Sequence, residues 1–106
     1  MKWYRKLYVG ENARKAKYKI IGKVRTNRFQ IDTFLIALSD HPDNLLDIYN
    51  ANLLLQPAME KSEKVKNTCV VGIAKGYGEA LEVVRQIIDD VYSSTGDLKL
   101  REYFHM

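Results

Sequence analysis

Thr68-Cys69-Val70-Val71-Gly72-Ile73-Ala74, then Lys75-Gly76-Tyr77-Gly78, then Glu79-Ala80-Leu81-Glu82-Val83-Val84, is the stretch on which the fold turns. Thr68 to Ala74 carries no charge and reads as a buried strand. Gly76, Tyr77 and Gly78 break that run. Beyond the break, Ala80, Leu81, Val83, Val84, Ile87, Ile88, Val91 and Tyr92 recur at helical spacing. Glu79 and Glu82 sit in the first turns, where the helix dipole favours acids. Ser93-Ser94-Thr95-Gly96 ends the pattern, and Gly96 suits a left-handed C-terminal cap. The spacing therefore predicts a strand over 68–74 and a helix over 77–94. Asp97 can cap a last short turn carrying Leu98, Leu100, Tyr103 and Phe104.

Working outward, Asp32 to Leu38 is a second short apolar run with no internal charge. It is bounded by the turn formers Ser39-Asp40-His41-Pro42-Asp43-Asn44. A buried strand over 33–38 is expected, with a returning strand over 45–49. Asn50 can then cap a short helix through Leu53, Leu54 and Leu55 that ends near Pro57. Glu60 to Asn67 is a charged connection. Trp3, Tyr4, Leu7, Tyr8 and Val9, before Gly10, form an apolar N-terminal segment that packs on the body, in extended form if at all regular.

Residues 12–27 admit two readings. As a helix, Ala13, Ala16, Ile20 and Val24 share one face, and Asn12 is the N-cap candidate. As a strand, Tyr18, Ile20, Gly22 and Val24 alternate with Lys17, Lys19, Lys23 and Arg25, and the sheet gains a fourth member. The helix is preferred. The resulting fold class is α+β: a two-layer domain with a three- or four-stranded sheet covered by a long C-terminal helix. Asp in place of Leu81 or Ile87 is expected to unfold it by placing a charge in the core.

The chain of 106 residues suits one domain, residues 1–106, that needs no metal or disulfide to build a core. Hydrophobic residues at 46% and charged residues at 28% argue against disorder. Cys69 has no second cysteine to pair with. The charged N-terminus lacks the apolar segment of a secretory signal, and no apolar run approaches the ~20 residues of a membrane span. A cytoplasmic location, with no membrane partner, is expected by elimination.

Charge is unevenly spread. Residues 1–28 hold ten Lys or Arg against the single acid Glu11, a net of +9. Residues 29–106 hold seven against twelve acids, a net of −5, which accounts for the chain's +4. Such a basic N-terminal segment either docks on the acidic body or meets an outside anion.

Four constellations invite a chemical reading. Arg14, Lys15, Lys17, Lys19, Lys23, Arg25 and Arg28, with Tyr18, Trp3, Tyr4 and Tyr8, have the makeup of a surface that grips phosphates and stacks bases. The plainer reading is a solvated helix face. No helix-turn-helix, zinc-finger or RNP pattern accompanies it. Lys75, Gly76 and Gly78, within the Gly72–Gly78 strand-to-helix turn, can cradle a phosphate. The Walker ending and the dinucleotide fingerprint are both missing, and Glu79 and Glu82 repel an anion. Asp40-His41-Pro42-Asp43-Asn44, with Asp47, holds potential metal or acid–base groups but reads fully as a turn. Cys69, inside an apolar strand, reads as a small buried hydrophobe.

The segments Leu7-Tyr8-Val9-Gly10-Glu11, Asn44-Leu45-Leu46-Asp47-Ile48, Gly72-Ile73-Ala74-Lys75-Gly76-Tyr77, Glu79-Ala80-Leu81-Glu82-Val83-Val84, and Val91-Tyr92 with Thr95-Gly96-Asp97 span nearly the whole chain. Together they resemble a family of short bacterial proteins of unassigned activity, often carried by conjugative or other mobile elements. The resemblance implies a one-domain bacterial protein and contributes no activity, cofactor or catalytic residue. In that family the Gly78 position is commonly acidic, which implies weaker anion binding at the turn. The expected function is a non-enzymatic accessory module that binds nucleic acid or a protein partner, with a homodimer through the wide aliphatic stripe of residues 80–92 as one form. The alternative is a small ligand- or phosphate-binding domain or enzyme using the Gly72–Gly78 turn. No catalytic residue, cofactor or metal is assigned.

Overall fold

Strand-forming residues fall in four places along the chain. In the computed structural model, which describes residues 1–41, 43–55 and 63–106, all four become strands of one sheet. They are β1 (Lys2–Val9), β2 (Thr33–Leu38), β3 (Leu46–Asn50) and β4 (Cys69–Lys75). The helices are α1 (Lys17–Arg25), the single turn α2 (Glu63–Lys66), α3 (Tyr77–Thr95) and α4 (Leu100–Phe104). Short 3-10 turns cover Arg14–Ala16 and Ala51–Leu55. The strand order is β1-β4-β2-β3. β1 runs parallel to β4, whereas β2 is antiparallel to both β4 and β3. The architecture is thus α+β with a four-stranded mixed sheet and a long helix packed against it.

The fourth strand comes from the N-terminus and not from residues 16–26. Residues 17–25 are helical because Ala13, Ile20 and Val24 meet the sheet at helical spacing, as the preferred reading required. β1 forms because Trp3, Leu7 and Val9 turn to one side of the sheet while Tyr4 and Tyr8 turn to the other. Lys2, Arg5 and Lys6 leave this edge strand exposed and positively charged, which discourages edge-to-edge pairing. Asn12 is not the cap of α1. The helix begins after the 3-10 turn, and its N-cap, Ala16, makes no side-chain bond.

Two apolar clusters lie on opposite sides of the sheet. One gathers Ile36, Leu38, Cys69, Val71 and Ala74 beneath Ala80, Val83, Ile87 and Val91 of α3, with Leu100 and Phe104 of α4. The other gathers Leu35, Val70 and Ile73 beneath Ala13, Ile20, Val24 and Ala51. A bulge in β4 sets this division. Ile36 pairs with Gly72 and Ala37 with Val70, so Val71 is the extra residue. Gly72 is where α3 comes closest: a Cβ there would stand 3.0 Å from Val83 Cγ1.

The apolar stripe of α3 is only partly core. Ala80, Val83, Ile87 and Val91 are buried, but Leu81 is 48% exposed and Tyr92 59%. The expectation that Leu81 lies in the core is therefore corrected. It lies half exposed on the flank of α3, whereas Val84 and Ile88 pack partly against the core and Tyr77 meets the Phe34 ring edge-on at 5.8 Å. Gly96 ends α3 in the left-handed conformation (φ 73°), its N–H bonding Tyr92 O at 2.8 Å. Asp97 is not the cap of α4: its Oδ1 accepts the Lys99 N–H at 3.2 Å just before the helix, and the N-cap, Lys99, makes no side-chain bond. Asn50 Oδ1 likewise accepts the Asn52 N–H at 2.9 Å before the 3-10 turn. The expected end of that turn at Pro57 lies outside the described residues, as do Pro42 and part of the 60–67 connection.

Candidate functional site

α1 buries Ile20 and Val24 and turns the rest of its surface outward. Lys15, Tyr18, Lys19, Gly22, Arg25 and Arg28 are exposed, while Lys17 and Lys23 are half-buried along their stems. Among the described residues, none of Arg14, Lys15, Lys17, Lys19, Lys23, Arg25 and Arg28 has an acidic side chain within ion-pair distance. Two of them stand beside aromatic rings. Lys17 Nζ stands 5.4 Å from the centroid of Tyr18, and the Arg25 guanidinium 5.9 Å from that of Trp3.

The acids of the body are occupied elsewhere. Arg85 reaches Glu82 at 3.0 Å and Asp89 at 3.6 Å along α3, and Arg101 reaches Asp40 at 3.0 Å. Asp90 accepts the Tyr8 hydroxyl at 2.7 Å. Burial, and then this bond, raise the Tyr8 pKa above its ordinary value. Arg14 differs from the other six cations in place. It lines an open cleft of about 780 Å³ whose other walls include Glu11, Glu79, Glu82, Asp89 and Asp90.

Behind α1, residues 27–32 form a loop with an unusual arrangement. Gln30 is only 4% exposed, yet its neighbours Phe29 and Ile31 are 65% and 71% exposed. Gln30 is gripped from three directions. Its N–H donates to Asn52 Oδ1 at 2.7 Å, its carbonyl accepts Asn52 Nδ2 at 2.6 Å, and its Nε2 donates to Ile20 O at 3.3 Å. The far end is held by Lys75 Nζ, which donates to Ile31 O at 3.1 Å, and by the Gly76 N–H, which donates to Asp32 O at 2.6 Å. Asn27 (φ 54°) and Asp32 (φ 48°) turn the chain at either end in the left-handed region that these two residue types tolerate. Sequence reasoning passed over Phe29 and Ile31. The available signal was two large apolar residues alternating with a glutamine, bracketed by Asn27 and Asp32.

The Gly72–Gly78 turn joins β4 to α3 as a strand-to-helix corner. Gly76 takes φ 87°, open to glycine without strain. Glu79 folds back so that its Oε2 accepts the Lys75 N–H at 2.6 Å and its Oε1 accepts the Asn12 N–H. An internal carboxylate thus stands where the turn presents backbone donors, and the Lys75 ammonium points to the 27–32 loop. Lys75, Gly76 and Gly78 lie together at this corner, with the Lys75 N–H taken by Glu79 and the Gly76 N–H by Asp32 O.

At the 39–44 turn, the His41 N–H donates to Ser39 Oγ at 3.0 Å and the Asp43 N–H donates to His41 Nδ1 at 3.2 Å. Nearby, Tyr49 donates to Asp47 at 3.1 Å. Burial first, and the charge of Asp47 next, push the Tyr49 hydroxyl up to about 12. Among the described residues, no group of three or more His, Cys, Asp or Glu side chains is placed to hold a metal ion. Cys69 is buried, its thiol 3.6 Å from Asn67 O. No described helix is long and apolar enough to cross a membrane. No protein-family model, no curated protein and no solved structure matches this chain.

Proposed function

We propose that this chain is a binding module of the bacterial cytoplasm, of the mobile-element kind its sequence resembles, whose basic α1 face holds the sugar-phosphate backbone of a nucleic acid. The observation that carries the reading is that, among the described residues, these cations have no acidic partner. Lys15, Lys19, Lys23, Arg25 and Arg28 have no described acid within pairing distance, whereas Glu82, Asp89 and Asp90 are engaged on the far side of the sheet. Surface cations without acidic partners, gathered on α1 and the segments that flank it, release counterions from a nucleic acid on binding, a favourable term that weakens steeply with salt.

The test is a fluorescence-anisotropy titration of labelled DNA and RNA over increasing salt. Binding whose logarithm falls linearly with the logarithm of salt supports the reading. Single Gln substitutions at Lys15, Lys19 or Lys23 are each expected to lower the slope by about 1. No retention of either nucleic acid at low salt overturns it.

A protein partner, or a second copy of the chain, is favoured instead by the exposed ridge of α3 through Tyr77, Leu81 and Tyr92. A concentration-dependent dimer abolished by Leu81→Asp in sedimentation would support that alternative.

A further inference from the structure

Exposed apolar side chains are common singly, but two beside a clamped, buried glutamine are a constructed feature. Phe29 and Ile31 are not loose. The backbone on which they stand is held by Asn52, by the Ile20 carbonyl of α1, by Lys75 and by the Gly76 N–H. Gln30 goes inward, so the alternation of the extended chain sends both neighbours outward. Ordering an apolar tip before it meets a ligand removes an entropic cost from binding. The tip is also continuous with the basic face, since Arg28 precedes Phe29 and Gln30 bonds the middle of α1.

We propose that Phe29, walled by Ile31, is a stacking platform for an unpaired base, so that the basic face takes single-stranded nucleic acid in preference to duplex. The inference rests on the reading of α1 as a phosphate-gripping face. Charge supplies the choice of occupant: an apolar tip that directly follows Arg28 and is bonded through Gln30 to the basic helix α1 complements a strand with an anionic backbone and flat, uncharged bases. A single-stranded partner is chosen over a wedged duplex on energetic grounds. Opening a base step costs a few kcal/mol and is offset by wrapping a large protein surface. α1 spans only nine residues, roughly 13 Å of helix, and offers no such surface. A base that is already unpaired requires no opening.

The experiment compares wild type, Phe29→Ala and a Lys19→Gln/Lys23→Gln double variant. The ligands are a labelled oligothymidylate of about 12 nucleotides, a blunt duplex of matched length and phosphatidylserine vesicles. Phe29→Ala is expected to weaken oligothymidylate binding about 5- to 100-fold, with the salt slope and duplex affinity unchanged. The double variant is expected to lower the slope for both nucleic acids. Phe29→Trp serves as a second probe, its indole emission falling when the oligomer is added.

Equal affinity of wild type and Phe29→Ala for the oligomer, or equal loss on oligomer and duplex, would overturn the platform while leaving the phosphate-gripping face in place. Vesicle binding lost in Phe29→Ala, with oligomer binding intact, would make the tip a lipid anchor and overturn it too. Absence of binding to both nucleic acids by the wild type would remove the underlying reading itself.

Discussion

The Glu79 carboxylate lies over the α-carbon of Gly10, so close that a Cβ at residue 10 would overlap its Cδ and Oε2. The carboxylate cannot simply swing away, because it accepts the backbone N–H groups of Asn12 and Lys75. Gly10→Ala must therefore break one or both bonds, and a loss of about 1–3 kcal/mol is expected. Glu79→Ala strips the acceptor from both donors and is expected to lose about 1–3 kcal/mol. Because both changes dismantle one contact, the double variant is expected to lose less than the sum. Urea denaturation of the four proteins checks this, and strict additivity would contradict it.

Ile87 and Leu81 lie on the same helix and are expected to respond very unequally to the same charge. Ile87 is fully buried, so Ile87→Asp places a carboxylate in the core and is expected to unfold a domain whose margin is about 5–15 kcal/mol. Leu81→Asp leaves its carboxylate in water and is expected to cost less than about 1 kcal/mol. Thermal melts followed by circular dichroism separate the two, and matching losses would move Leu81 back into the core.

Two glycines offer a pair of opposite signs. A methyl at Gly72 would meet Val83 Cγ1 at 3.0 Å, Tyr8 O at 3.4 Å and Ile36 Cβ at 3.5 Å. Gly72→Ala is expected to cost about 1–3 kcal/mol through overpacking of α3 against the sheet. Gly22 lies within α1 with nothing within 4 Å of its added Cβ. Gly22→Ala is expected to gain about 0.5–1 kcal/mol by stiffening the unfolded chain and favouring helix. Denaturation midpoints measured side by side decide both signs.

Alkaline pH loosens the β3 edge. The folded Tyr49 pKa of about 12 lies above the ordinary tyrosine value of 10.0, because burial and then Asp47 disfavour the phenolate. The stability this contributes is complete below pH 10 and falls as pH rises from 10 towards 12. Tyr49→Phe is expected to remove that part of the alkaline loss, read as a flatter dependence of melting temperature on pH over this window. Unchanged steepness would refute the assignment.

The strands over 33–38 and 68–74 and the helix over 77–94 were legible because their periods are local. A charge-free run or a 3.6-residue repeat is the same in the chain as in the fold. The outward turn of Leu81 was not legible, since the stripe on α3 is wider than the sheet beneath it. Only the position of β2 and β4 selects which residues of the stripe are covered. The pairing of β1 with β4 was likewise hidden, because it joins residues more than sixty positions apart.

By itself, the sequence determined the α+β class, the long helix and the concentration of positive charge in residues 1–28. Each follows from neighbours within a few residues. Tertiary structure alone decided that Glu79 fills the turn after β4, that α1 and α3 lie on opposite sides of the sheet, and that Gln30 is clamped while Phe29 and Ile31 project. Those outcomes depend on which distant groups arrive within hydrogen-bonding reach, and a buried donor or acceptor takes whichever partner the packing brings to it.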